Sequence, residues 1–320
     1  MKPEPEAREI GIHVSNGTVV ATRGATVFDG NATLPEASYG GGNMTLYTYL
    51  HGTTTEYTGT HWVYYFADDP SNPWRFRIDN TFVHYYWPPG GELDFFAYMP
   101  YNSAGLALCH VSNIGYTVAG GPSFQCDLPV NKEDQDASKE FIYAFAPGVN
   151  YDTDAGWAKL NFQHPFAVIF LKLLRGHRNM TLNSITFNDI HKAGTFTYGN
   201  SRQWTPSDAA NNDLVVPVNK SIPAGLNFGA MIDGPFIVMP QTFAEGKLYI
   251  DIETTWIGDA EVGNPTGHKT RMVEVSMPQW APGTAYTYTL DLGDINEEVL
   301  FKVTVEAWDI REYHIPIDVE

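Results

Sequence analysis

Asp251 and Glu253 stand two residues apart in Leu248-Tyr-Ile-Asp-Ile-Glu253, where apolar and polar residues alternate. Alternation puts both carboxylates on one face of a strand. Two carboxylates flanking a sugar linkage are what a glycosidase needs. A solvated strand face carries the same pattern, and no further acid, base or nucleophile is spaced to support a site. Asp291, Asp294, Glu297 and Glu298 form a second acidic group. They lack the regular spacing and the turn glycine of a calcium loop, and an acidic loop between strands accounts for them. The ten histidines are scattered, with His51, His61 and His84 in aromatic strand or turn contexts and none at metal-ligand spacing. HExxH, GxSxG, Walker and CxxC patterns are absent. The expectation is a protein without enzymatic activity, metal or cofactor. Tyr57, His61, Trp62, Tyr64 and Tyr65 are dense enough for a sugar-stacking platform, and equally serve cross-strand packing. Cys109 and Cys126 cannot make a structural zinc site alone. Their spacing leaves open a disulfide in an oxidising compartment or two unrelated thiols.

The charge balance narrows the partners. With 37 acidic against 19 basic residues the net charge is −18. No basic stripe is present to neutralise phosphates, so nucleic acid is not an expected partner. An anionic membrane surface is disfavoured for the same reason. Charged residues make up 18% of the chain, below the roughly 25% of an average globular protein. That deficit, with abundant Tyr, Thr, Asn and Gly, is typical of extracytoplasmic β-proteins. The greasiest segment, Phe166 to Leu174, includes Lys172 and is far shorter than the roughly 18 residues of a membrane span. No signal peptide is visible, and the polar start Met1-Lys-Pro-Glu-Pro-Glu is consistent with a leader removed upstream.

The elements that would position these residues are strands. Ile10, Ile12 and Val14 alternate with Glu9, Gly11 and His13; Trp74, Phe76 and Ile78 with Arg75 and Arg77; Val299, Phe301, Val303 and Val305 with Leu300, Lys302 and Thr304. The 29 glycines and 21 prolines are spread along the chain as turn punctuation. The segment His84 to Tyr101, HYYWPPGGELDFFAYMPY, reads as a strand end, a reversal at Pro88-Pro89-Gly90-Gly91 and a second strand. From Asn102 to Asp136 the pattern is broken, with a glycine turn at Gly120-Gly121. A new core begins near Ala158, so the chain divides into 1–158 and 159–320. Many short strands with turns between them read as β-sandwiches.

Several segments, in order, resemble the fimbrillin family of Bacteroidales, the Mfa-like subunits of type V pili. They are Thr22-Arg23 with Val27-Phe28, Tyr85-Tyr86-Trp87-Pro88, and Leu93-Asp94-Phe95-Phe96-Ala97-Tyr98-Met99-Pro100. Glu140 to Ala144, Leu160 to Pro165, Val238 to Gln241 and Leu248 to Ile252 follow, then Trp280 to Tyr288 and Val303 to Trp308. The resemblance implies an all-β fold of two tandem transthyretin-like sandwiches, here 1–158 and 159–320. It implies a non-enzymatic subunit exported as a lipoprotein to the cell surface and outer membrane or fimbrium, with the lipid on a cysteine upstream of this sequence. Other pilus subunits are the implied partners through strand exchange, with room for a host or bacterial surface ligand. In polymerising members an arginine-specific protease removes the first strand, and the matching arginine is Arg23, with Arg8 a weaker candidate. The vacated groove then takes a strand from the next subunit. Tyr313, Ile315, Ile317 and Val319 alternate with polar residues and could be that donor, or the last strand of their own sandwich. The alternative reading from the residues is a surface carbohydrate-binding lipoprotein of an outer-membrane glycan-uptake system.

Overall fold

The computed structural model describes residues 8–16, 43–65, 74–78, 81–99, 109–131, 134–135, 141–176, 179–199, 201–223, 227–256, 267–292 and 300–307. It is nearly all strand. The first half holds β1 (Gly11–Asn16), β2 (Asn43–Leu50), β3 (Glu56–Tyr65), β4 (Trp74–Ile78), β5 (Thr81–Phe82) and β6 (Glu92–Met99). Next come β7 (His110–Thr117), β8 (Gly121–Asp127), β9 (Ile142–Asn150), one helical turn α1 (Tyr151–Asp154) and β10 (Trp157–Phe162). Then follow β11 (Ala167–Gly176), β12 (Met180–Ile190), β13 (Ala193–Thr197), β14 (Gln203–Pro206), β15 (Asn212–Ile222) and β16 (Asn227–Val238). The chain continues through β17 (Gln241–Thr242), β18 (Lys247–Trp256), β19 (Gly267–Ser276), β20 (Gln279–Trp280), β21 (Thr284–Leu292) and β22 (Leu300–Ala307).

Three cores organise these strands. The first lies between a six-stranded antiparallel sheet, ordered β5-β4-β3-β2-β6-β9, and the parallel pair β1-β10. The second lies between two four-stranded sheets, β16-β11-β21-β22 and β15-β12-β18-β19. The third joins them. It gathers Phe96 and Tyr98 of β6, Phe124 and Cys126 of β8, Phe196 of β13, Val168 and Phe170 of β11, and Ala285 of β21. Above this third core sits a sheet ordered β14-β13-β8-β7.

Two strands show why the sequence reads as it does. In β11, Ala167, Ile169, Leu171 and Leu173 face the second core while Val168 and Phe170 face the third. A strand covered on both faces needs no polar alternation, which is the origin of the apolar run at Phe166 to Leu174. Its parallel pairing with β21, Ala167 opposite Thr284 through Leu173 opposite Leu290, suits that interior position. In β6, Leu93, Phe95, Ala97 and Met99 enter the first core, and Phe96 and Tyr98 the third. Trp87, just before the reversal, is 7% exposed and meets Phe95 and Tyr151 edge to face.

The stretch between Asn102 and Asp136, expected to be irregular, contains the β7–β8 hairpin. A register shift between Ser112 and Gly115, with Asn113 at φ 48°, moves the strand out of phase. Such a bulge erases the alternation that marks a strand in sequence. The expected division at 158/159 falls inside β10, whose Ala158, Leu160 and Phe162 belong to the first core. The β8–β13 ladder, Ala193 opposite Asp127 through Thr197 opposite Ser123, spans that position as well.

Candidate functional site

The first strand is short and pairs with a single other strand. β1 runs parallel to β10 in continuous register, from Gly11 opposite Trp157 to Asn16 opposite Phe162. Ile10, Ile12 and Val14 are 3%, 1% and 3% exposed, and all three lie in the first core. Full burial of an aliphatic side chain is worth ~1.5–3 kcal/mol, so this strand fills a substantial part of that core. Its sequence neighbours Glu9 and His13 face solvent, as the alternation requires.

The entry to β1 is held by a different set of contacts. The Ile10 N–H donates to Tyr85 O at 2.8 Å, and the Trp87 N–H donates to Arg8 O at 2.8 Å. The Gly11 N–H donates to Gly156 O at 3.0 Å. The Arg8 guanidinium lies 2.7 Å from Asp152 Oδ1 and 4.2 Å from the centre of the Tyr151 ring. Glu9 Oε1 lies 2.6 Å from His84 Nδ1. Asp152 and Tyr151 are fixed by α1, which Asn150 caps by accepting from the Asp152 N–H at 2.9 Å. The Arg8 and Glu9 ion pairs are largely exposed, so they orient the entry more than they stabilise it. Gly11 has a separate role. A Cβ there would sit 2.6 Å from the Trp157 ring, so the absent side chain lets the indole lie flat across the strand. This arrangement holds one short segment that satisfies one sheet edge and fills one apolar groove.

Other residues singled out in the sequence fall elsewhere. Glu253 is on the outer face of β18, where it accepts from Ser184 Oγ at 2.8 Å and pairs with His268 Nε2 at 2.5 Å. The His268 and Ser184 hydrogen bonds hold its carboxyl below the usual carboxylate range. Asp251 lies between Thr186 and Met272 in the same sheet. These are cross-strand surface contacts. Asp291 is buried at 9% exposure, while Asp294, Glu297 and Glu298 lie outside the described residues. Among the described residues no group of three or more His, Cys, Asp or Glu is gathered as for a metal ion. Arg23 and the stretch holding Tyr313, Ile315, Ile317 and Val319 also lie outside the described residues. Cys109 and Cys126 are both buried, with their sulfurs 2.8 Å apart.

The aromatic cluster splits between two faces of β3. His61 turns toward the first core and meets Tyr85, 4.7 Å between ring centres, and burial lowers its pKa. The Tyr57 hydroxyl donates to Tyr86 O at 2.8 Å. Trp62 is 50% exposed on the opposite face, in line with Arg77 and Phe82 across three strands. Arg77 lies 5.2 Å from the Tyr64 ring centre and Arg75 lies 5.3 Å from that of Phe82. Sequence reasoning missed the carboxylate of Asp94. It is 1% exposed and accepts from the Gly148 N–H at 2.6 Å and from the Tyr116 hydroxyl, with His51 Nδ1 at 2.7 Å. This hydrogen bond raises the His51 pKa. The signal was a lone acid inside the apolar run Leu93-Asp-Phe-Phe-Ala.

A chain built almost entirely from stacked sheets belongs to the class of all-β proteins. Within that class the fimbrillin-like family matches residues 30–308, and the chain belongs to this family. The matched span begins after β1. A fimbrial protein from Bacteroides vulgatus shares the fold at a TM-score of 0.65 and 13% identity, over 94% of this chain and 99% of that one. A proposed cell-adhesion protein from Parabacteroides distasonis aligns at a TM-score of 0.55 and 10% identity, over 95% and 97%. Another from Bacteroides uniformis aligns at 0.52 and 13%, over 96% and 100%. No curated protein matches the chain.

Proposed function

We propose that the chain is a non-enzymatic pilus subunit at the bacterial cell surface, and that it joins its neighbours by exchanging β1 for a strand of another subunit. The observation that carries this reading is the seating of β1. Three buried side chains, one parallel ladder and the contacts at its entry connect it to the rest of the fold. In this reading, cleavage after Arg23 separates β1 from β2 and lets it leave. The edge of β10 and the apolar groove are then open to a donor, and Tyr313 to Val319 of the next subunit supplies one. A lipid upstream of the sequence would tether the exported precursor to the outer membrane.

The test is to treat the intact protein with an arginine-specific protease and follow it by size-exclusion chromatography and electron microscopy. The expected result is cleavage near Arg23, loss of the β1 peptide and growth of polymers. Cleavage at Arg23 that leaves the monomer unchanged would sink the exchange mechanism. Deleting residues 315–320 should abolish the polymer and leave monomer stability intact; unchanged polymerisation would exclude the C-terminal donor.

A second reading, glycan contact by a surface lipoprotein, is favoured by the Trp62 face. An exposed indole beside arginines held over aromatic rings can stack on a pyranose and bond its polar groups. Binding of the trimmed or intact chain on a glycan array, lost in Trp62→Ala at unchanged stability, would favour it.

A further inference from the structure

We propose that Cys109 and Cys126 form an intramolecular disulfide in the mature protein. Their sulfurs are 2.8 Å apart. A disulfide bond is about 2.05 Å long, so closure needs less than roughly 1 Å of movement. The backbone explains how they meet. Val111 pairs with Cys126 and His110 with Asp127, so a continued ladder would set Cys109 opposite Leu128. Cys109 instead occupies a bend just before β7, and its side chain reaches diagonally across to Cys126. Both cysteines are nearly inaccessible, at 2% and 4% exposure, and share the third core with Val111, Phe124 and Leu128. Among the described residues no third sulfur, imidazole or carboxylate joins them in a metal-holding group.

The bond forms by thiol–disulfide exchange. Each thiol gives up one proton, and together they lose two electrons to an external disulfide, which is released as two thiols. The attacking species is a thiolate, and burial pushes the Cys126 thiol well up. The exchange therefore belongs to folding in an oxidising compartment, before the third core closes over the pair. Once closed, the bridge ties the start of β7 to β8, and with it the sheet that covers both halves of the molecule. Burial in the third core shields the bond from reductants until that core opens. The bridge stands or falls independently of strand exchange.

The experiment uses the full chain, refolded in a buffer of reduced and oxidised glutathione. The protein is unfolded with N-ethylmaleimide present and no reductant, and its intact mass is measured. The expected result is no label, two labels after prior reduction, and a proteolytic peptide pair linked through Cys109 and Cys126. Reduction should lower the Tm by roughly 5 °C, and the Cys109→Ala/Cys126→Ala double variant should show no response to reductant. Two labels without reduction, a glutathione adduct, or a chain-to-chain bridge would each overturn the proposal.

Discussion

At Gly11 a hydrogen in place of a side chain decides whether β1 can seat. The Trp157 ring occupies the space of a Cβ, so Gly11→Val must push the indole away or shift the strand. Overpacking of this kind costs about 1–3 kcal/mol. Hydrogen exchange should show faster opening of β1 and β10, with the second core unaffected; equal protection in the variant would remove Gly11 from the argument. Trp87 is the anchor beneath the entry, touching Phe95 and Tyr151. Trp87→Ala should cost ~3–5 kcal/mol in denaturant unfolding and loosen the first core before any binding is affected. A variant of native stability that had lost adhesion would reverse that assignment. Asp208 offers a pH test. Burial works against its charge, but is outweighed by the Lys192 N–H at 3.0 Å, by His191 and by the Ala193 N–H, and the pKa is lowered. A depressed carboxyl stabilises the fold above its unfolded pKa of about 3.9 and loses that contribution as pH falls through the folded value. Asp208→Asn should cost ~1–3 kcal/mol near neutrality. The gap from wild type should shrink as the pH falls below about 3.9, and a constant gap would rule out the ionised carboxylate as the cause.

At the scale of elements, β1 is held by one neighbouring strand, β10. Its register runs over six pairs with β10, and its entry rests on three backbone hydrogen bonds and two exposed ion pairs. A synthetic peptide spanning residues 8–16 should therefore rebind the protease-trimmed protein, and the same peptide carrying Gly11→Val should bind at least tenfold more weakly by fluorescence polarisation. Equal affinity of the two peptides would mean that the groove does not read the Gly11–Trp157 pair. The Asp94 network acts at this scale too. It joins β6 to β7, to the bulge in β9 and to the turn after β2 through one carboxylate, which keeps two sheets in fixed relation.

Across the whole molecule, the third core makes the halves interdependent. Phe124 stacks on Phe196 at 4.8 Å, and Phe166 on Trp204 at 5.3 Å. The sheet covering that core draws two strands from each side of the 158/159 position. Fragments 1–158 and 159–320 expressed alone should lack cooperative unfolding and bind hydrophobic dye. Two fragments with sharp, independent transitions would show instead that the division is a true domain boundary.

Much of this was legible in the residues. Alternation at Ile10 to Val14 and at Leu248 to Ile252 marks strands because a half-buried strand has period two. The ordered segments from Thr22 to Trp308 resemble the fimbrillin family before any coordinates are considered. What stayed hidden depends on contacts between distant segments. The β7–β8 hairpin was obscured because a bulge shifts its phase. The two-sided burial of β6 and β11 was hidden because periodicity reports how many residues are apolar and not how many layers cover them. The meeting of Cys109 with Cys126 turns on a bend outside the ladder, and the parallel seating of β1 against β10 brings together residues almost 150 positions apart. Local patterns set which segments become strands; the pairing of those strands is settled by burial summed over the whole fold.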